Sequence, residues 1–238
     1  AEATQWLNDQ EAYSVHKRAR RKGYQRTKTV VSCIDAQWQA DLADVSNISK
    51  SNNKTTFLLT VIDVLSRYGW AIPIKDKRGE TVADTLEAIF KVSGRHPRYH
   101  LQTDEGKEFL NVHMKKLAKK YGFEQFYTAD RDTKAAICER FNQTLKTYIY
   151  RFLTAEQTHR YIDVLPLLVK GYNARVHSAH GFAPIKVTTD NQELVWRALY
   201  PQHTDKEEKK TDKDASNLKV GDHVRITKEK GTFVKGYV

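Results

Sequence analysis

The sequence predicts an α/β fold, a mixed five-stranded sheet flanked by helices, and three observations lead there. Three short runs rich in β-branched and aromatic residues, 36–45, 55–64 and 67–74, lie close enough in sequence to form an antiparallel meander. The apolar period then lengthens, and helical and strand patterns alternate from residue 79 to about 128. From 135 to the 170s the pattern is helical. A meander, an alternation and a helical stretch in that order give a sheet with helices on its faces.

Each element has a local reason. AQWQADLADV (36–45) reads as a first strand, and the polar turn SKSNNK separates it from TTFLLTVIDV (55–64), whose continuous apolar run suits a strand buried on both faces. RYGWAIPI (67–74) is the third strand. In GETVADTLEAIFKVSG, Val82, Leu86, Ile89 and Phe90 recur at helical spacing and Gly94 is the stop. RYHLQT (98–103) is a short strand, followed by a helix presenting Leu110, Met114, Leu117 and Tyr121 before Gly122. FEQFYT supplies the fifth strand. AAICERFNQTLKTYIYRFL (135–153) is the clearest helix, with Phe141, Leu145, Tyr148 and Phe152 as its apolar stripe. One more helix runs through the 160s to Tyr172. This order matches the RNase H-like plan.

Charge narrows the function. The chain holds 40 Lys and Arg against 29 Asp and Glu, which favours a polyanionic partner. HKRARRKGYQRTK (16–28) contains Lys17, Arg18, Arg20, Arg21 and Lys22, and no acid occurs between Ala12 and Ile34. It is either a solvated arm without a target or a phosphate-neutralising segment. TDKEEKKTDKD (204–214) has the composition of a linker, and NLKVGDHVRITKEKGTFVKGY beyond it alternates like the opening strands of a small β-barrel. The chain ends at Val238 before such a barrel would close, so the sequence is read as a fragment. The expected organisation is a basic extension (1–34), a core (35–200), a charged linker (201–216) and an incomplete barrel (217–238). Two distant cysteines exclude a disulfide framework, and no apolar run approaches the roughly 18 residues of a membrane span. A soluble intracellular protein is expected.

Three carboxylates suggest the chemistry. Enzymes that attack a phosphodiester anion often use two divalent ions, which are hard and take oxygen ligands. Asp41 lies on the first strand, Asp104 ends a later strand able to lie beside it, and Glu139 opens the clearest helix on the face away from its apolar stripe. Asn142, Gln143 and Lys146 share the face of Glu139.

WQAD (38–41), TDEGKEF (103–109) and CERFNQTLK (138–146) resemble the Asp, Asp, Glu catalytic core of retroviral-type integrases. YNARVHSAHGFAP (172–184) is similar to a segment that closes that core, and NLKVGDHVRI resembles the start of the family's SH3-like C-terminal domain. WQADL, TVIDVLSRYGWAIPIK and KAAICERFNQTLK look most like integrases of Maverick or Polinton transposons and neighbouring retroelements. The resemblance implies that Asp41, Asp104 and Glu139 are catalytic and hold two Mg2+ or Mn2+ ions with DNA bound. It implies that Asn142, Gln143 and Lys146 contact DNA ends. It further implies element ends and target duplex as partners, a homo-oligomer, and a nuclear location. The activity implied is 3′-end processing and strand transfer; a silent DNA-binding scaffold and an RNase H-like nuclease are the alternatives. Three departures stand out: Glu105 replaces the usual Asn, 34 residues rather than one more separate Asp104 from Glu139, and Ala136 stands where many relatives have Gly. The zinc-binding module that often precedes such cores is not found in the chain.

Residue by residue, plainer roles compete. Asp63 reads as structural, with Arg67 as an available partner, and Asp44 falls on the face opposite Asp41. Glu108 is expected to shape the start of the helix after it. His177 and His180 suit capping and packing, and Cys138, Trp38 and Trp70 suit packing.

Overall fold

The computed structural model describes residues 29–127 and 135–201. Five strands form one sheet: β1 (Gln37–Asp44), β2 (Phe57–Asp63), β3 (Gly69–Ile74), β4 (His100–Thr103) and β5 (Glu124–Tyr127). The order is β3-β2-β1-β4-β5. β1, β2 and β3 pair antiparallel, as short connections allow, whereas β4 joins β1 and β5 joins β4 in parallel. The connections that make those parallel pairs contain α1 (Gly79–Ser93) and α2 (Val112–Tyr121). This is the expected mixed sheet.

The two helices end where the sequence says they should, with Gly94 and Gly122 in the left-handed conformation. The start of α2 corrects one expectation. Asn111 is the cap, its Oδ1 accepting from the His113 and Met114 N–H groups, while Glu108 lies in the preceding turn and offers its carbonyl to Asn111.

Alternation along the strands divides the core. Trp38 and Ala40 of β1, with Leu59 and Val61 of β2, pack beneath α1 and α2. The opposite face takes Leu58, Ile62 and Ala43 and is covered by α3 (Ala136–Ala155) and α4 (Leu165–Ala174). The stripe of α3 lies slightly to one side of the expected one. Ile149 and Leu153 are buried, with Tyr148 and Phe152 packed at its margin.

A third cluster was not foreseen. α5 (Gln192–Leu199) places Val195 and Leu199 against Val31, Ile34 and Val64. Trp196 Nε1 donates to the Val31 carbonyl at 2.8 Å, and the Tyr200 hydroxyl to that of Thr29 at 3.0 Å. The root of the N-terminal segment is thereby fastened to the end of the core.

A buried ionic cluster holds the entrance to β1. Arg95 bonds Asp35 through Nε and Nη2, lies 3.5 Å from Asp63, and stacks over the rings of Tyr68 and Trp70. Asp63 is therefore structural as expected, but its close partners are Arg95 and Ser66; the Arg67 guanidinium donates to the Val64 carbonyl. Arg67 itself stands at φ 60° directly after the turn. Residues 1–28 and 202–238, including the basic arm and the barrel strands, lie outside the described residues.

Candidate active site

Strand register brings the first two carboxylates together. Gln39 on β1 is aligned with Gln102 on β4, and two residues further along each strand direction stand Asp41 and Asp104. A strand repeats its facing every two residues, so both acids follow on the side covered by α3. Asp104 lies just past the end of β4 in an exposed turn, where its Oδ1 accepts from the Gly106 N–H at 3.2 Å. A Cβ at position 106 would meet the Glu108 carboxyl carbon at 2.6 Å, a contact that the flexible end of that side chain would have to shift to relieve.

Glu139 reaches the same region from above. It is exposed in the first turn of α3, beside buried Cys138, which packs on Thr60 of β2. Burial pushes the Asp41 carboxyl above its ordinary value, and the charges of Asp104 and Glu139 push it further. The Leu42 N–H and the Asn142 amide oppose that shift. Three carboxylates, two of whose charges raise the proton affinity of Asp41, form a hard oxygen donor set suited by its chemistry to a divalent cation. Among the described residues, however, no three such groups are gathered closely enough to hold an ion as they stand.

Asn142 has a different surrounding from the one its helix position suggests. It is 8% exposed, and its Nδ2 donates to Asp41 Oδ2 at 2.8 Å, while its Oδ1 has no partner. The other Asp41 oxygen accepts from the Leu42 N–H at 2.8 Å, so both are held. Gln143 is exposed and Lys146 partly so, one and two turns beyond Glu139. Lys146 also lines an open groove of about 560 Å³ with Thr147, Tyr150 and Arg151. Lys17, Arg18, Arg20, Arg21 and Lys22 lie outside the described residues.

Sequence reading missed Gln39. This buried side chain joins α3 to the sheet: its Oε1 accepts from the Ile137 and Cys138 N–H groups, and its Nε2 donates to Gln102 Oε1. The available signal was a helix beginning Ala135-Ala136, with no capping residue of its own.

His177 and His180 stack at 5.2 Å and accept N–H bonds from the Ala179 and Phe182 backbone, as packing and turn residues do. Both are pushed down to about 4, chiefly by burial, with nearby Arg67 adding to the effect. Asp44 is exposed and bonded to the Ser46 N–H, away from Asp41.

Residues 32–132 match the family model described as the integrase core domain. The chain carries a retroviral-type integrase core. The chain is 36% identical over 193 residues to a transposon-derived protein of Caenorhabditis elegans, covering 81% of this chain and 62% of that protein. A Ty1 Gag-Pol polyprotein of Saccharomyces cerevisiae is 28% identical over 98 residues, which is 40% of this chain and 6% of the polyprotein. In fold, the chain is similar to a chain of the simian T-cell lymphotropic virus intasome in complex with a PP2A regulatory subunit (TM-score 0.58, 17% identity, 78% of this chain and 65% of that one). It is also similar to the HTLV-2 integrase catalytic core in complex with magnesium (TM-score 0.53, 18% identity, 66% and 98%). The chain thus spans only part of its curated relatives.

Proposed function

We propose that the protein is a DNA integrase of a mobile element, of the Maverick or Polinton kind or a related retroelement, and that Asp41, Asp104 and Glu139 are its catalytic residues. The observation that supports this is the approach of three carboxylates from β1, β4 and α3 at one end of an integrase core. The two reactions are the same displacement at phosphorus. In end processing a water oxygen attacks and a 3′ oxygen leaves with the strand; in strand transfer that 3′ hydroxyl attacks a target phosphodiester and displaces another 3′ oxygen.

Asp41, Asp104 and Glu139 would hold two magnesium or manganese ions, which when bound activate the attacking oxygen and stabilise the leaving one. The chain's own contribution is position. Asn142 and the Leu42 N–H fix the plane of the Asp41 carboxylate, and the Gly106 N–H holds Asp104 in its turn. Gln143 and Lys146 are proposed to contact DNA along α3, with Asn142 acting on DNA only through Asp41. Lys17, Arg18, Arg20, Arg21 and Lys22 are proposed to neutralise phosphates. Domains at 1–34, 35–200, 201–216 and 217–238, a homo-oligomer that brings two ends together, and a nuclear location complete the proposal.

Incubation of the protein with element ends and target duplex in magnesium should yield covalent joint products. Glu139→Gln should abolish them and leave DNA binding intact, because the amide keeps the shape and removes the charge. Undiminished joining by that variant would refute the assignment. A second reading, a catalytically silent DNA-binding relative, is favoured by the ungathered carboxylates and by Glu105. It predicts duplex binding with neither cleavage nor joining by the parent chain, restored joining on Glu105→Asn would support it, and joining by the parent chain would count against it.

A further inference from the structure

The first N–H groups of a helix need acceptors from outside it, and α3 begins without a side-chain cap. The acceptor comes from the sheet. Gln39 Oε1 lies 3.1 Å from the Ile137 nitrogen and 3.0 Å from that of Cys138. A backbone N–H only donates, so the amide atom facing the helix must be the oxygen. The nitrogen then faces β4, where it donates to Gln102 Oε1 at 2.8 Å, and Gln37 Nε2 donates to that same oxygen at 3.0 Å. Gln39 is 1% exposed and Gln102 2% exposed, so the bonds form away from solvent.

The bonded atoms belong to the elements that bear the candidate carboxylates. Asp41 follows Gln39 by two residues, Asp104 follows Gln102 by two, and Glu139 follows Cys138 directly. Apolar contacts also bind α3 to the sheet, through Phe141, Leu145 and Ile149. Those contacts are non-directional and tolerate small slides and rotations of the helix. Hydrogen bonds to two successive N–H groups are directional and resist both. A serine at position 135 would cap the helix as well but would not connect it to β1 and β4.

We propose that Gln39 is a positioning residue whose one side-chain amide, tied to the start of α3 and to Gln102, sets Glu139 relative to Asp41 and Asp104 and so governs how the three hold a divalent cation. The proposal rests on the integrase reading of these carboxylates. Gln39→Met keeps length and bulk while removing both polar atoms; Gln39→Glu keeps the reach and an acceptor for the helix. Each is to be made in the full chain and followed by residue-resolved amide exchange, by manganese titration without DNA using electron paramagnetic resonance, and by DNA joining.

In Gln39→Met the Ile137 and Cys138 amides should exchange faster, and manganese affinity should fall by about 10- to 100-fold, as expected when a group orienting a metal ligand is removed. Gln39→Glu should restore the protection. Parent-like exchange and manganese affinity in Gln39→Met would overturn the proposal, and if that variant does not fold, unprotected Ile137 and Cys138 amides in a folded Gln39→Glu chain would do so. Exchange reads the connection without metal. A parent chain that neither binds manganese nor joins DNA therefore refutes the integrase reading, whereas joining that survives Gln39→Met at parental rate refutes the positioning role alone.

Discussion

Replacing Arg95 by Met should lower folding stability by about 4 kcal/mol, with a larger loss at high pH than at low. The Asp63 side chain is 0% exposed and that of Asp35 10%, and Arg95 bonds the second and approaches the first. Removing one partner of a buried ion pair costs about 3–5 kcal/mol, because a charge is left without compensation. Arg95 itself is 26% exposed, which places the ionic part at the lower end. Its stacking on Tyr68 and Trp70 adds about 0.5–1 kcal/mol for each ring. For a chain of this size each kcal/mol moves the melting temperature by about 2–4 °C, so a fall of about 8–16 °C is expected.

The pH dependence follows from the buried carboxylates. Burial already raises the Asp63 carboxyl above its ordinary value, and Arg95 opposes that rise. Without Arg95 the folded-state value rises further above the unfolded one, so the folded chain binds the proton more readily. The deficit should be full above the folded-state value and shrink as pH falls through it. Thermal melts and urea unfolding at about pH 5 and about pH 8, followed by circular dichroism, measure both effects. A loss below about 1 kcal/mol, or an equal loss at both pH values, would refute the reasoning.

Two further predictions concern the site and the loop beside it. Asn142→Asp should put a second carboxylate against Asp41 Oδ2, abolishing magnesium-dependent joining while the far-ultraviolet circular dichroism stays native. His177 and His180, pushed down to about 4 from the ordinary 6.5, bind fewer protons folded than unfolded, so their contribution to stability should fall as pH drops from about 6.5 toward 4. Replacing both by Gln should flatten the urea midpoint over that range, and an unchanged slope would count against their being held neutral.

Much of the fold was legible because its signals are local. The meander, the alternation of helix and strand, and the stops at Gly94 and Gly122 each depend on a few adjoining residues. The placing of Asp41 beside Asp104 was readable too, since Asp41 lies on a strand and Asp104 closes a later one able to lie beside it. α5 escaped notice because eight residues with Val195 and Leu199 as its buried positions give too little periodicity to stand out.

The sequence by itself determined the types of chemistry available: three carboxylates, a basic excess and the alternations that build a sheet with two covered faces. Tertiary structure alone decided which groups meet. Asn142 bonds Asp41 across 101 positions, Gln39 caps α3 across 98 and 99, and Arg95 binds Asp35 across 60. The physical reason is that a helix or strand pattern is set by neighbours along the chain, whereas a buried polar group takes whichever partner packing brings within about 3 Å.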